Sequence, residues 1–275
     1  MIKISIFASA IRPWLWNDFF KSLESTTEEY EVVFAGPKNM KNIKYEGLKG
    51  ISLDNGELQH EEPICKNIEY ADIKWPKNFT YIQTANIKPA QCYQVALNYC
   101  KGETISWVAD DCEFSDNLYN NAYLYWKSLK QDKAALSIQT IEDGIKYNMH
   151  DHSFIGFSRT TPLMAPVVLM SRQVCIDTGG FDRRFVAGQY ENAKIMDLYE
   201  VGGCVLIFKD GEVYIDHIKK HKNEHSFRAG YTKDRAVLES IWGKMGTGRL
   251  LPHEPYEEKD LLVKSQSNNN PAIWS

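Results

Sequence analysis

The feature that most constrains this chain is the alternation, through its first half, of short β-rich runs with helical spacings. Alternating strands and helices of this kind bury their apolar faces as an α/β layer around a largely parallel sheet. Ile2–Phe7 predicts the first strand. A helix is expected from Pro13 to about Ser25, with proline at its start and Trp16, Phe19, Phe20 and Leu23 on one face. EVVFA, Glu31–Ala35, predicts the second strand, ended by Gly36 and Pro37. Residues 38–78 are polar and give only weak strand signals.

The pattern sharpens from Pro89. Ala90, Tyr93, Ala96, Leu97 and Cys100 share a helix face that Lys101 and Gly102 close, and TISWVA, Thr104–Ala109, reads as a buried central strand with Trp107 in the core. That strand ends on Asp110 and Asp111. Carboxylates there lie at the edge where open α/β sheets bind ligands, and two adjacent carboxylates suit Mg²⁺ or Mn²⁺; the same pair also makes an ordinary solvated turn. Ser115 and Asp116 are the expected caps of the next helix. Beyond it the sequence predicts strands at Ala134–Ile141 and Pro166–Met170, with a long loop over 145–162 between them. A Gly-Gly turn, a helix from Tyr190 to Val201 and a strand at Cys204–Phe208 follow, and Lys264–Ser275 reads as a mobile tail.

Composition excludes several classes. Hydrophobic residues make up 43% and charged residues 25%, against a disordered or collagen-like chain. With 32 Lys+Arg and 36 Asp+Glu the net charge is -4, without the basic excess that nucleic-acid binding needs. The uncharged stretch Thr160–Ser171 is shorter than the about 20 apolar residues that span a bilayer. The opening MIKISIFASAIRPW reads as strand and turn rather than signal peptide, so a cytoplasmic protein is expected. Six cysteines without CxxC pairs are expected to be free thiols.

The order of several segments resembles the family 2 inverting glycosyltransferases of the GT-A fold, over about residues 2–220. ISIFASA, EVVFAG and AQCYQVALNYCKGETISWVADDCEF parallel the nucleotide-binding half; APVVLMSRQVCIDTGGFDRRF and ENAKIMDLYEVGGCVLIF parallel the acceptor half. The resemblance implies an α/β, Rossmann-like GT-A fold over 1–220, divided at about residue 115, followed by a C-terminal extension over 221–275 with a helix and a flexible tail. It implies transfer of a sugar from a nucleotide-sugar donor to a hydroxyl of a glycan or glycolipid. A divalent metal is implied as cofactor, and contact with a membrane surface is compatible with this reading.

By resemblance, Asp110 faces the ribose or base side of the donor and Asp111 binds the metal at the diphosphate. Glu113 is either a second ligand or an outward strand-end residue. His217 takes the place of the family's further metal ligand, though His217, His221 and His225 also make a polar helical stripe. Ser9 and Arg12 fall where the opening loop nears the base, and Tyr93 and Gln94 replace a frequent Arg-Asn pair. Gly36 and Pro37 stand where an Asp often reads uracil, which leaves the base open. Glu191 matches the first member of the Glu-Asp pair that carries the general base, but the second is Asn192, and an amide takes up no proton. The base is then Glu191 or another carboxylate such as Asp182, or the chain binds nucleotide-sugars without turnover. Asp182, in the turn Gly179–Asp182, also reads as a turn residue. The loop 147–159 mixes His and aromatic groups in a way that suits carbohydrate. A nucleotidyltransferase is disfavoured because no Gly-rich, Lys-containing phosphate loop lies near the N-terminus.

Overall fold

The computed structural model describes residues 2–10, 12, 15–36, 51–54, 57–60, 74, 76–84, 88–146, 167–216, 228–243, 248–261 and 263–268. The strands are β1 (Ile4–Ser9), β2 (Tyr30–Gly36), β3 (Ile51–Asp54), β4 (Glu57–His60), β5 (Phe79–Thr84), β6 (Thr104–Trp107), β7 (Cys112–Phe114), β8 (Ala134–Glu142), β9 (Ile145–Lys146), β10 (Val168–Ser171), β11 (Cys204–Ile215) and β12 (Val263–Asn268). The helices are α1 (Trp16–Ser22), α2 (Pro89–Tyr99), α3 (Leu118–Leu129), α4 (Arg172–Asp177), α5 (Tyr190–Glu200), α6 (Arg228–Trp242) and α7 (Glu258–Leu261).

Ten strands make one sheet in the order β12-β5-β2-β1-β6-β10-β8-β11-β7, with β9 beside β8, while β3 and β4 form a separate pair. Strands β5, β2, β1, β6, β8 and β11 run one way; β12, β10, β7 and β9 run against them. The expected α/β sheet with a mostly parallel direction is therefore present. Helices cover both faces, so the central strands are apolar on both sides rather than alternating. On β1, Ile4, Ile6 and Ala8 join the core under α1 and α3, while Phe7 joins the core under α2 and α5. Trp107 is fully buried, as the sequence predicts. Each such side chain contributes about 1.5–3 kcal/mol of burial.

Two local expectations differ. Ser115 and Asp116 do not cap α3: its N-cap is Asn117, in the left-handed region at φ 58°, without a side-chain cap. Ser115 instead pairs with the sheet, its N–H donating to the Glu212 carbonyl at 2.9 Å and its Oγ accepting from the Glu212 N–H at 2.8 Å. Residues 264–268, read from sequence as tail, lie in β12, an edge strand antiparallel to β5. A polar strand with one paired edge carries no apolar alternation by which sequence could reveal it. The five described cysteines are free thiols. No helix among the described residues is long and apolar enough to cross a membrane.

Candidate active site

At the end of β6 the chain leaves the sheet through Val108 and Ala109 and places Asp110 and Asp111 at 0% and 1% exposure. Ionised carboxylates so deeply covered need partners. Arg12, just beyond β1, supplies them. Its backbone N–H donates to Asp110 Oδ2 at 2.8 Å, its Nε to Oδ1 at 2.7 Å, and its Nη2 lies 2.5 Å from Oδ1. The Trp16 indole N–H, from the first turn of α1, donates to Asp110 Oδ2 at 3.3 Å. Nη1 of the same guanidinium is 3.2 Å from Asp111 Oδ2. Adjacent strands β1 and β6, in parallel register from Ile4 opposite Thr104, thus deliver a cation and two anions to one edge.

The acceptor-side residues reach the same region through a shared aromatic core. The Tyr93 hydroxyl donates to the Val108 carbonyl at 2.6 Å, and its ring lies 5.0 Å from that of Tyr190 and 6.0 Å from that of Phe181. Burial holds the Tyr93 phenol well above its usual range, and the charges of Glu191 and Asp110 both push it further. The ring therefore stands between the acidic pair and the first turn of α5. Glu191, partly covered in that turn, has its carboxyl pushed up to about 7 by desolvation, against a hydrogen bond from Tyr190. A carboxylate near 7 has the proton affinity of a general base at neutral pH.

Other expected site residues serve the scaffold. Tyr93 is spent on the core contacts just given. Gln94 Oε1 accepts from the Phe181 N–H at 2.8 Å and its Nε2 donates to Asn98, so it braces the glycine turn. That turn needs glycine: Gly180 has φ +68°, and a Cβ there would sit 2.3 Å from Gln94 Oε1. Asp182, 2% exposed, accepts from Arg184 Nε, Nη2 and N–H and from the Glu254 N–H. Burial alone would raise its carboxyl, but Arg184 and these N–H groups bring it below the usual range. An acid so held is a poor proton acceptor, which separates Asp182 from Glu191. Asn192 is buried, its amide donating to Gln189 Oε1 at 2.6 Å. Ser9, at the end of β1, hydrogen-bonds the buried Cys92 thiol. Glu113 lies on β7 opposite Tyr214. Gly36 ends β2, where a Cβ would meet the Ala10 carbonyl at 2.2 Å. His217, His221, His225, Pro37 and the loop 147–159 lie outside the described residues.

Sequence reading missed Asp234. This carboxylate on α6 is fully buried and accepts the N–H groups of Val186, Ala187 and Gly188 at 2.6 to 3.1 Å. Those residues lead into α5, whose N-cap Gln189 is left-handed at φ 62°. The available signal was an acid on the same helical stripe as Leu238, Ile241 and Trp242. Trp16 was legible as a helix-face aromatic but not as a donor to Asp110.

The mostly parallel sheet flanked by helices is the GT-A fold of the solved structures to which the chain is similar. No protein-family model and no curated protein matches the sequence. Among solved structures the chain is similar to S. aureus TarS 1–349, at TM-score 0.53 and 15% identity, covering 88% of this chain and 71% of that one. The complex of TarS 1–349 with UDP-GlcNAc gives 0.57 and 14%, covering 88% and 67%. GalNAc-T7 with UDP, GalNAc and Mn²⁺ gives 0.60 and 12%, covering 89% of this chain and 49% of that one. Likeness at such identity is a likeness of fold. Among the described residues no group of three His, Cys, Asp or Glu side chains surrounds a metal position.

Proposed function

We propose that this chain transfers a hexose-like sugar from a nucleotide-sugar donor to a hydroxyl of a glycan or glycolipid, with inversion at the sugar. The observation that carries the reading is the way Tyr93 joins two elements: its hydroxyl bonds Val108, just before the acidic pair tied to Arg12, and its ring meets Tyr190, next to Glu191 with its carboxyl raised to about 7. The donor's diphosphate approaches the acidic pair, and Glu191 takes the proton of the attacking hydroxyl. The fold's relation to TarS with UDP-GlcNAc and GalNAc-T7 with UDP, GalNAc and Mn²⁺ supports the donor class.

The pair fits a divalent ion in charge and donor chemistry, because a cation, the Arg12 guanidinium, already bridges both carboxylates. Asp111 would hold Mn²⁺ or Mg²⁺, with His217 as a further ligand. Such an ion would supply charge stabilisation to the departing nucleoside diphosphate. Residues 1–220 form the transferase domain in this reading, and 221–275 form a C-terminal extension whose β12 pairs with β5. Work in the cytoplasm, with a membrane surface within reach and polysaccharide assembly as its setting, completes the proposal.

One observation favours a second reading, a module that binds nucleotide-sugars without turnover. Asn192 stands in place of the family's aspartate and is turned inward to Gln189. Incubation with UDP-GlcNAc, GDP-mannose and other nucleotide-sugars, with release of nucleoside diphosphate as the readout, separates the two. Turnover lost in Glu191→Gln supports the enzyme; tight binding without turnover, and turnover created by Asn192→Asp, supports the module.

A further inference from the structure

The grip of Arg12 on the two carboxylates is lopsided. Asp110 is held by three contacts from Arg12 at 2.5 to 2.8 Å, with the Trp16 indole behind it at 3.3 Å. Asp111 meets the guanidinium through Nη1 at 3.2 Å, longer than the roughly 2.7–2.9 Å of a strong charge-assisted hydrogen bond. The guanidinium is 18% exposed, whereas the carboxylates beneath it are 0% and 1% exposed. It therefore lies on the solvent side of the acidic pair, with its shorter contacts at the Asp110 end.

A guanidinium does not lose its proton in proteins, so its charge stays at any working pH. A divalent ion held by Asp111 would share that carboxylate with the Arg12 guanidinium. In a region largely closed to water two cations on one carboxylate repel. Relief comes from added negative charge, and a nucleoside diphosphate brings it.

We infer that Arg12 is a built-in counter-cation that keeps a divalent ion off Asp111 until a nucleoside diphosphate arrives, so that metal and nucleotide bind together rather than separately. The inference rests on the donor-site reading above and adds to it the order in which the site fills. Coupling is reciprocal: whatever factor the nucleotide adds to metal affinity, the metal adds to nucleotide affinity.

The test titrates the full chain with Mn²⁺ and follows the free ion by electron paramagnetic resonance, without nucleotide and with UDP or GDP. The wild type is expected to take up no Mn²⁺ alone and one ion with the nucleotide that fits. Arg12→Gln keeps an amide N–H for Asp110 and removes the charge; it is expected to bind Mn²⁺ alone at least tenfold more tightly than the wild type. Asp111→Asn added to Arg12→Gln should cancel that gain, and Arg12→Lys, which keeps the charge, should resemble the wild type. Equal Mn²⁺ affinity in wild type and Arg12→Gln overturns the inference. If Arg12→Gln does not fold, the wild type decides alone: uptake only with nucleotide supports the inference, while uptake without nucleotide, or under neither condition, overturns it. Should Arg12→Gln gain Asp111-dependent uptake while neither UDP nor GDP draws Mn²⁺ into the wild type, exclusion by Arg12 stands and the donor-site reading falls.

Discussion

The edge beyond β6 and the loop before α5 each bury carboxylates, but they balance them differently. Asp110 accepts the Arg12 backbone N–H and the Trp16 indole, and the Arg12 guanidinium, reaching across from the neighbouring strand, meets both Asp110 and Asp111. Asp234 is held by three successive backbone N–H groups, and Asp182 by two backbone N–H groups and an arginine two residues away. A backbone donor cannot leave without unmaking the loop, whereas a guanidinium on a flexible stem can turn. Equal burial is thus met mainly by a side chain beside β6 and by backbone before α5. Glu191 follows that backbone-held loop in the first turn of α5, and the base proposed above needs such fixed geometry.

Five substitutions break or sharpen that contrast. The largest effect is expected from Glu191→Gln, which should lower kcat about 10²–10⁴-fold with nucleotide binding unchanged. In the wild type, kcat/KM should rise with pH through about 7, since the desolvated carboxyl must first lose its proton. A pH-independent rate from 5 to 8 would remove Glu191 from that role. Next, Asp234→Ala leaves three buried N–H groups unmet and should cost about 3 kcal/mol or more in denaturant unfolding. Asp111→Ala should cost less stability than Asp234→Ala; the reverse order would break the contrast. Gly180→Ala, forced into a left-handed φ against Gln94, should cost about 1–3 kcal/mol.

The smallest effect is on acid tolerance. The folded-state carboxyl of Asp182 is depressed, so its stabilising share is present above the unfolded value and is lost as pH falls through the folded one. Arg184→Gln should therefore move the acid-unfolding midpoint to higher pH, read by circular dichroism. An unchanged midpoint would mean that the N–H groups alone hold Asp182.

The legible parts of this fold were those with a local signature. EVVFA and TISWVA are buried on both faces because helices cover both, and the α2 stripe from Ala90 to Cys100 has helical period; all three appear in the fold, with β6 ending at Trp107. Elements whose stability comes from partners far away in the chain were not legible. β12 pairs with β5 some 180 residues earlier, and β5 begins just past the weak stretch 38–78, where no strand was read. At the site, Asp110, Asp111 and Glu191 could be singled out as residues, but the partners that decide their chemistry could not. Nothing in local sequence ties Arg12 to Asp110, Gln94 to Phe181 or Asp234 to Gly188. That is why the bracing contacts of Gln94 and Asp182 could not be read from the sequence.

The central claim is that the acidic pair ending β6 receives the donor. Isothermal titration of the full chain with UDP-GlcNAc and GDP-mannose, each with Mn²⁺, on wild type and Asp111→Ala, tests it most directly. The account predicts binding of one nucleotide-sugar to the wild type and its loss in a folded Asp111→Ala. Equal binding by both proteins, or no binding of any nucleotide-sugar to the wild type, would contradict it.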